Sequence, residues 1–181
     1  MSNGKILFIV AHEGYNPTEY GVPKKILENA GYQVVTASDK EGTATASDGS
    51  VTSIDVLLHK AQAPHYEGIF FIGGPGALTH LDNETSYSLI KIADHFKKLI
   101  GAICISTRIL AKAGILKGKQ ATGWDGDGEL TTVYQEHDVR FVNQAVAVDE
   151  TVITATDPNA AQEFGEQILT VLQGKKTWGL I

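Results

Sequence analysis

The sequence predicts an α/β protein, a three-layer α/β/α sandwich in which helices cover both faces of a mostly parallel sheet. Short, continuously apolar runs, which are typical of strands buried on both faces, alternate with segments whose apolar residues recur at helical spacing. Glycine-containing turns follow several of these runs. In a doubly wound sheet such turns lie at the carboxyl ends of the strands, where functional sites form.

The first elements predict a β-α-β unit. The apolar run Lys5–Ala11 predicts a strand, and Tyr20–Ala30 predicts a helix that Gly31 closes. A second strand follows at Gln33–Ala37. The small, turn-rich stretch Gly42–Ser53 predicts a hairpin that decorates the main sheet.

The later elements continue the alternation. Gly68–Ile72 predicts a third core strand, and Asn83–Leu99 predicts an amphipathic helix with Leu89, Ile92, Ala93, Phe96 and Leu99 on its apolar face. The remaining expected elements are a strand at Ile100–Ile103, a helix at Ser106–Ala113, a short strand at Gln120–Gly123, a hairpin of Val146–Val148 with Val152–Thr154, and a last helix opened by Asp157 and Pro158.

Length and composition indicate one domain. The chain has 181 residues, 43% hydrophobic and 20% charged, near the globular average. We expect a domain over residues 1–174 and a C-terminal tail over 175–181. A net charge of -6 without a basic stripe argues against a nucleic-acid partner. No apolar run approaches the ~20 residues of a membrane span and no signal-peptide pattern is present, so we expect no membrane contact and a cytoplasmic location.

Cys104 is the single cysteine, which excludes an internal disulfide. It lies between an apolar strand and a helix, with the small residues Ala102 and Ser106 on either side, as in a nucleophile elbow. The amides and dipole of a helix N-terminus favour a thiolate, so this interpretation predicts a depressed pKa for Cys104. A buried cysteine that packs as a small hydrophobe fits the same pattern.

The turn at Gly73–Gly76 follows the third predicted strand. One of its amides, together with the amide of Ile105, would stabilise an oxyanion at the same edge of the sheet. A plain strand-to-helix connection is the alternative. The turn lacks the Lys-Ser/Thr of a phosphate-binding loop and the dinucleotide fingerprint, and we expect no cofactor.

The Gly73-Gly74-Pro75-Gly76 turn, the stretch Ala102–Ser106 and a glutamate four residues before Pro23 together resemble the ThiJ/PfpI superfamily, which has the class I glutamine amidotransferase-like fold. The resemblance extends over nearly the whole chain. It implies a flavodoxin-like sandwich, a homodimer and a small-molecule substrate. The site residues that it implies are Cys104 as nucleophile, Glu19 as its acid partner, and Gly74 and Ile105 as oxyanion amides.

Glu19 has two interpretations. Asn16-Pro17-Thr18-Glu19 matches the N-cap, N1 proline and N3 glutamate of a capping box, although Pro23 would then fall inside the helix. If Glu19 instead faces Cys104 in a closed pocket, desolvation favours a protonated carboxyl that donates to the thiolate. Glu19 would then serve as a proton shuttle.

The chain departs from the superfamily in its histidines. Relatives often carry His directly after the cysteine or in the strand after the elbow helix, whereas this chain has Ile105 and Trp124. His12, at the end of the first strand, is a candidate substitute, and packing or loop structure is the alternative role. His137-Asp138 matches a dyad, but its polar surroundings favour a solvated loop.

The remaining candidate pocket residues are Gly73, Trp124 and Asp125. Trp124 and Asp125 either line the pocket as an aromatic wall and a carboxylate or cap the following helix. Asp125 and Asp127 lack the regular oxygen-ligand spacing of a calcium site, and we expect no metal.

The residues leave several functions open. A cysteine enzyme would use Cys104 to attack a small reactive carbonyl, and the family resemblance implies a glyoxalase-like or related hydrolase, lyase or hydratase reaction. A non-enzymatic stress sensor or chaperone-like protein would instead use oxidation of Cys104 to a sulfinate. A peptidase ranks last, because it would need the absent histidine.

Overall fold

The computed structural model describes the backbone of residues 3–178 and the side chains of residues 3–174. The strands are β1 (Lys5–Ile9), β2 (Glu13–Tyr15), β3 (Gln33–Ser38), β4 (Thr43–Ala46), β5 (Val51–Ser53), β6 (Val56–Leu57), β7 (Gly68–Phe71), β8 (Leu99–Ile103), β9 (Gln120–Ala121), β10 (Arg140–Phe141), β11 (Val146–Asp149) and β12 (Val152–Ala155). The α-helices are α1 (Pro17–Asn29), α2 (Ala77–Leu81), α3 (Glu84–His95), α4 (Thr107–Lys112), α5 (Leu130–Glu136) and α6 (Ala161–Trp178).

The central sheet has seven strands in the order β11-β12-β8-β7-β1-β3-β6. All neighbours in it are parallel except β11 and β12, which form an antiparallel hairpin. Leu7 in β1 lies opposite Val35 in β3 and Ile69 in β7, so the strands predicted as the core are direct neighbours. The predicted mixed α/β fold with a mainly parallel sheet is confirmed.

Successive side chains of β1 enter two different cores, one on each face of the sheet. Leu7 and Ile9 pack with apolar residues of α3, α4 and α5. Ile6 and Phe8 pack with apolar residues of α1 and α6 on the other face. Both faces of β1 are fully buried, which explains why its sequence is continuously apolar rather than alternating.

The small β4-β5 hairpin lies outside the central sheet, as predicted, and is joined there by β2. The prediction for α3 was less accurate. The helix ends at His95, and Leu99 belongs to β8 instead. Ile92 and Phe96 are 45% and 53% exposed, because the face that meets the sheet carries Ile90 rather than these two residues.

The last helix continues beyond the predicted domain boundary. A short 3-10 turn capped by Asp157 leads into α6, whose backbone extends past residue 174 to Trp178. The expected start of a tail at residue 175 therefore falls within a helix. Residues 179–181 of that expected tail lie outside the described residues. Over the described part of the chain, no helix combines the length and apolar character needed to cross a membrane.

Candidate active site

Cys104 occupies a sharp turn between β8 and α4. Its backbone φ is 63°, in the left-handed region that is unfavourable for a residue with a side chain. Hydrogen bonds hold the turn in place, because the Ser106 hydroxyl donates to Ile72 O at 2.8 Å and the Thr107 hydroxyl donates to Cys104 O at 3.0 Å. This strained and supported geometry is that of a nucleophile elbow.

Two backbone amides point at the Cys104 sulfur. They belong to Ile105, the next residue, and to Gly74 in the turn after β7, and both lower the pKa of the thiol by hydrogen bonding. Gly74 has a φ of 119°, which directs its amide in a way that other residues rarely permit. The structure thus brings together the two amides that the sequence analysis proposed for an oxyanion.

Glu19 reaches Cys104 from the first turn of α1. The Asn16 side chain accepts hydrogen bonds from the amides of Thr18 and Glu19 at 3.0 and 3.1 Å, so Asn16 caps this helix. The capping-box interpretation nevertheless fails for Glu19, because the Asn16 amide donates to Gly73 O instead of the carboxylate. The Glu19 side chain is fully buried.

The two oxygens of Glu19 have different surroundings. Oε2 accepts a hydrogen bond from the Gly73 amide at 2.9 Å. Among the described residues, no nitrogen or oxygen donor reaches Oε1 in ordinary hydrogen-bond geometry. The Cys104 thiol is the side chain that forms a hydrogen bond with this carboxyl. A Cβ at residue 73 would lie 2.5 Å from Oε2 and 2.6 Å from the Cys104 Cβ, so only glycine fits between them.

Burial dominates the electrostatics of the pair. Desolvation raises the pKa of Glu19 from 4.5 to about 7, although the hydrogen bonds from Cys104 and Gly73 act in the opposite direction and lower it. Burial also raises the pKa of the Cys104 thiol, and the negative charge of Glu19 raises it further. The predicted depression of the Cys104 pKa is therefore wrong, because burial outweighs the two amide hydrogen bonds that favour the thiolate. A thiolate forms more easily when Glu19 holds the proton, because the charge repulsion is then removed.

A pocket of about 310 Å³ opens above these groups, near the lower limit of the ~300–1,000 Å³ found for ligand sites. Asn16, Glu19, Gly74 and Cys104 line it. The other lining residues are Pro75, Ile105, Trp124 and Pro158, and their side chains are apolar or aromatic. The pocket lies at the carboxyl ends of β7 and β8, where open parallel sheets place their sites.

The structure separates Trp124 from Asp125. Trp124 lines the pocket, whereas the Asp125 carboxylate accepts hydrogen bonds from Leu130 N and the Thr131 hydroxyl at the start of α5. Arg108 was not among the site residues predicted from the sequence. Its side chain in α4 is 4% exposed and donates a hydrogen bond to the Trp124 carbonyl at 3.3 Å. A charged residue one helical turn after an elbow cysteine was its only sequence signal.

The candidate histidines lie elsewhere. His12 is absent from the pocket lining, its amide donates to Asp39 at 2.8 Å, and its ring is 6.0 Å from that of His80. His137 ends α5 and Asp138 follows it with a φ of 56°, next to Lys117, so this pair forms a surface turn. Among the side chains of residues 3–174, no group of His, Cys, Asp and Glu clusters in a way that could hold a metal ion.

The fold and site define a class of protein: a doubly wound α/β sandwich with a cysteine at a nucleophile elbow and a buried glutamate beside it. The family model described as DJ-1/PfpI matches residues 4–171, and the chain belongs to this family. An uncharacterised protein of Methanocaldococcus jannaschii is 30% identical over 176 residues, which cover 96% of this chain and 84% of the relative. The superfamily resemblance of the sequence is thereby confirmed.

Solved structures agree with this assignment. A ThiJ/PfpI domain protein from Brachyspira murdochii superposes with a TM-score of 0.89 at 27% identity, covering 96% of this chain and 98% of the other. DJ-1beta of Drosophila melanogaster superposes with a TM-score of 0.85, covering 97% and 93% of the two chains. At 24% identity, the second likeness concerns the fold alone.

Proposed function

We propose that this protein is a cysteine-dependent enzyme that acts on small reactive carbonyl compounds, in a glyoxalase-like reaction on 2-oxoaldehydes or a related hydration. One observation carries the proposal: Cys104, Glu19 and the amides of Gly74 and Ile105 converge on a single small pocket. A nucleophile, a proton carrier and oxyanion donors are the groups that addition to a carbonyl requires.

The reaction begins when the Cys104 proton moves to Glu19 and the thiolate adds to the aldehyde carbon. The carbonyl oxygen becomes an oxyanion, which the amides of Gly74 and Ile105 stabilise before it takes the proton from Glu19. For a 2-oxoaldehyde, the Glu19 carboxylate then removes the hydrogen on the former aldehyde carbon, which gives an enediol once the neighbouring oxygen is protonated. Glu19 returns its proton to the neighbouring carbon as the hydroxyl on the sulfur-bearing carbon loses its own proton and becomes the thioester carbonyl. The resulting thioester of a 2-hydroxy acid is hydrolysed by water, which frees Cys104.

Glu19 is suited to both proton transfers, because a pKa of about 7 lets it exist in acid and base forms near neutral pH. A histidine is not needed for these steps, since the carboxyl group itself moves the proton. Of the described residues that line the pocket, none carries a cationic side chain, which also agrees with an uncharged substrate.

The test is a screen of 2-oxoaldehydes with wild type, Cys104→Ser and Glu19→Gln, following substrate loss and identifying the hydroxy acid by mass spectrometry. We expect Cys104→Ser to abolish turnover and Glu19→Gln to lower it by roughly 10²-fold. Glu28→Gln is the matched control, because Glu28 lies in the same helix on an exposed site. Equal turnover in Cys104→Ser and wild type would contradict the proposal.

An oxidation sensor is the second candidate, and the same amides favour it. Cys104 is the only cysteine, so no second thiol of the chain can resolve a sulfenic acid. Oxidation to a sulfinate would place its oxygens near the amides of Gly74 and Ile105 and near a protonated Glu19. Mild peroxide treatment that adds about 32 Da at Cys104, for two oxygens, in a protein without turnover would support this function over the enzyme.

A further inference from the structure

The wall of the pocket carries apolar groups and no positive charge. Pro75, Ile105, Trp124 and Pro158 supply the apolar surface. Among the lining residues of the described chain, none is Lys, Arg or His, and the ionisable ones are Glu19 and Cys104. The negative charge of Asp157 also acts on Glu19 and raises its pKa. A ligand carboxylate would find no cationic partner there to offset its desolvation, and the two amide donors, those of Gly74 and Ile105, are directed at the Cys104 sulfur.

Trp124 is the largest of these apolar side chains, and its position is fixed from several sides. The Arg108 guanidinium lies 5.8 Å from the centroid of the Trp124 ring. Arg108 is itself held by a bidentate pair with Asp127, in which Nη1 donates to Oδ2 at 3.0 Å. Gly126 lies against the same indole, because a Cβ there would be 2.3 Å from Cζ2 of Trp124.

This arrangement gives the buried Arg108 a role besides packing. Its guanidinium contacts the ring and donates to the backbone carbonyl of Trp124, while its charge is neutralised by Asp127 outside the pocket. The cation therefore stiffens the wall without presenting a positive charge to a ligand. A planar, weakly hydrated guanidinium suits this position better than an ammonium group.

We propose that the pocket selects aldehydes with an uncharged, apolar substituent over those that carry a carboxylate, with Trp124 as the specificity-determining residue and Arg108 as its positioning residue. The inference rests on the proposed function for one step, reversible addition of the Cys104 thiol to the aldehyde. In that step the C–S bond forms, the carbonyl π bond breaks, and the thiol proton ends on the new hydroxyl, so nothing leaves and no oxidant is needed.

The test measures binding rather than turnover, as protection of Cys104 from iodoacetamide. Butanal and succinic semialdehyde have four-carbon chains and differ in a terminal methyl against a carboxylate. Phenylacetaldehyde and acetaldehyde differ in the aromatic ring. We expect butanal to protect at a concentration at least tenfold lower than succinic semialdehyde. We expect phenylacetaldehyde to protect at a lower concentration than acetaldehyde.

Substitutions at and near Trp124 test whether the apolar wall of the pocket causes the preference for phenylacetaldehyde over acetaldehyde. Trp124→Ala should reduce the preference for phenylacetaldehyde roughly tenfold, the scale of an aromatic contact, while protection by acetaldehyde stays within about threefold. Gly126→Ala should reduce the same preference by displacing the indole, and it avoids the risk of misfolding that comes with a buried Arg108 variant. Lys112→Ala, which breaks a different ion pair of α4, should leave the preference unchanged.

Arg108→Lys tests the positioning role. The variant should lower the preference for phenylacetaldehyde but should not change the rate at which iodoacetamide alkylates Cys104 when no aldehyde is present. A generally destabilised protein would change both quantities. Acrylamide quenching of Trp124 fluorescence reports how firmly the indole is held, and a Trp178→Phe background removes the signal of the other tryptophan. Quenching should increase in Arg108→Lys but not in Lys112→Ala.

The outcomes separate this inference from the proposed function. Equal protection by the two four-carbon aldehydes, or an unchanged preference in both Trp124→Ala and Gly126→Ala, would overturn the inference even if the protein turns over 2-oxoaldehydes. The expected order of protection without any turnover would retain the inference and reject the proposed enzyme. Failure of every aldehyde to protect Cys104 would overturn the inference, and the absence of 2-oxoaldehyde turnover as well would overturn both.

Discussion

Replacing Glu19 by glutamine should change the stability of the protein in a pH-dependent way. Glu19 is fully buried, and its pKa rises from 4.5 to about 7 on folding, chiefly through desolvation. A raised carboxyl pKa means that the folded state holds its proton more tightly than the unfolded state does. The unfolding free energy contributed by this group is therefore highest below pH 4.5 and falls as the pH rises to about 7.

The magnitude follows from the size of the shift. A change from 4.5 to about 7, at roughly 1.4 kcal/mol for each pH unit, corresponds to about 3 kcal/mol. Glutamine has nearly the same shape, can accept the Gly73 hydrogen bond, and never carries the buried charge. At pH 8 we expect Glu19→Gln to be more stable than wild type by up to about 3 kcal/mol, and at pH 4.5 we expect the two to be nearly equal.

Urea denaturation of wild type and Glu19→Gln at pH 4.5 and pH 8 measures this difference, with Glu28→Gln as control. Other titrating groups are common to both proteins, so their contributions cancel in the comparison. The control should differ from wild type by less than about 0.5 kcal/mol at either pH, because Glu28 is exposed. A stability difference for Glu19→Gln that is the same at both pH values would refute the argument from burial.

Other predictions concern the same site and the assembly. The midpoint of iodoacetamide labelling of Cys104 against pH should fall in Glu19→Gln, because the charge that raises the thiol pKa is removed; an unchanged or higher midpoint would contradict the coupling. Gly73→Ala should destabilise the protein by about 1–3 kcal/mol in thermal melts, since its Cβ would lie 2.5 Å from Glu19 Oε2, whereas Gly21→Ala, whose Cβ meets nothing within 4 Å and whose φ is not left-handed, should not destabilise it. The homodimer implied by the family resemblance should give a light-scattering mass of twice 19.4 kDa, and a mass of 19.4 kDa at micromolar concentration would exclude it.

Local sequence patterns predicted the parts of the fold that depend on local chemistry. Continuous apolar runs identified β1, β7 and β8, because strands covered on both faces need apolar residues at nearly every position. The elbow at Cys104 and the glycine turn after β7 were also recognisable, since sharp turns restrict the residue types around them. The short helix α2 was missed, because a helix of five residues carries too little periodicity to be distinguished from a loop.

Tertiary packing decided the chemistry of the site. The sequence was compatible with two roles for Glu19, a helix cap and an acid beside Cys104. The contact between the start of α1 and the turn after β7, where the Gly73 amide donates to Glu19, decides between them. The sequence also predicted a lower pKa for Cys104, whereas burial among separate elements and the approach of Glu19 raise it. Trp124 and Asp125 are adjacent in the chain, yet one lines the pocket and the other caps α5. Desolvation and charge depend on which groups surround an atom in space, and those groups come from distant parts of the chain.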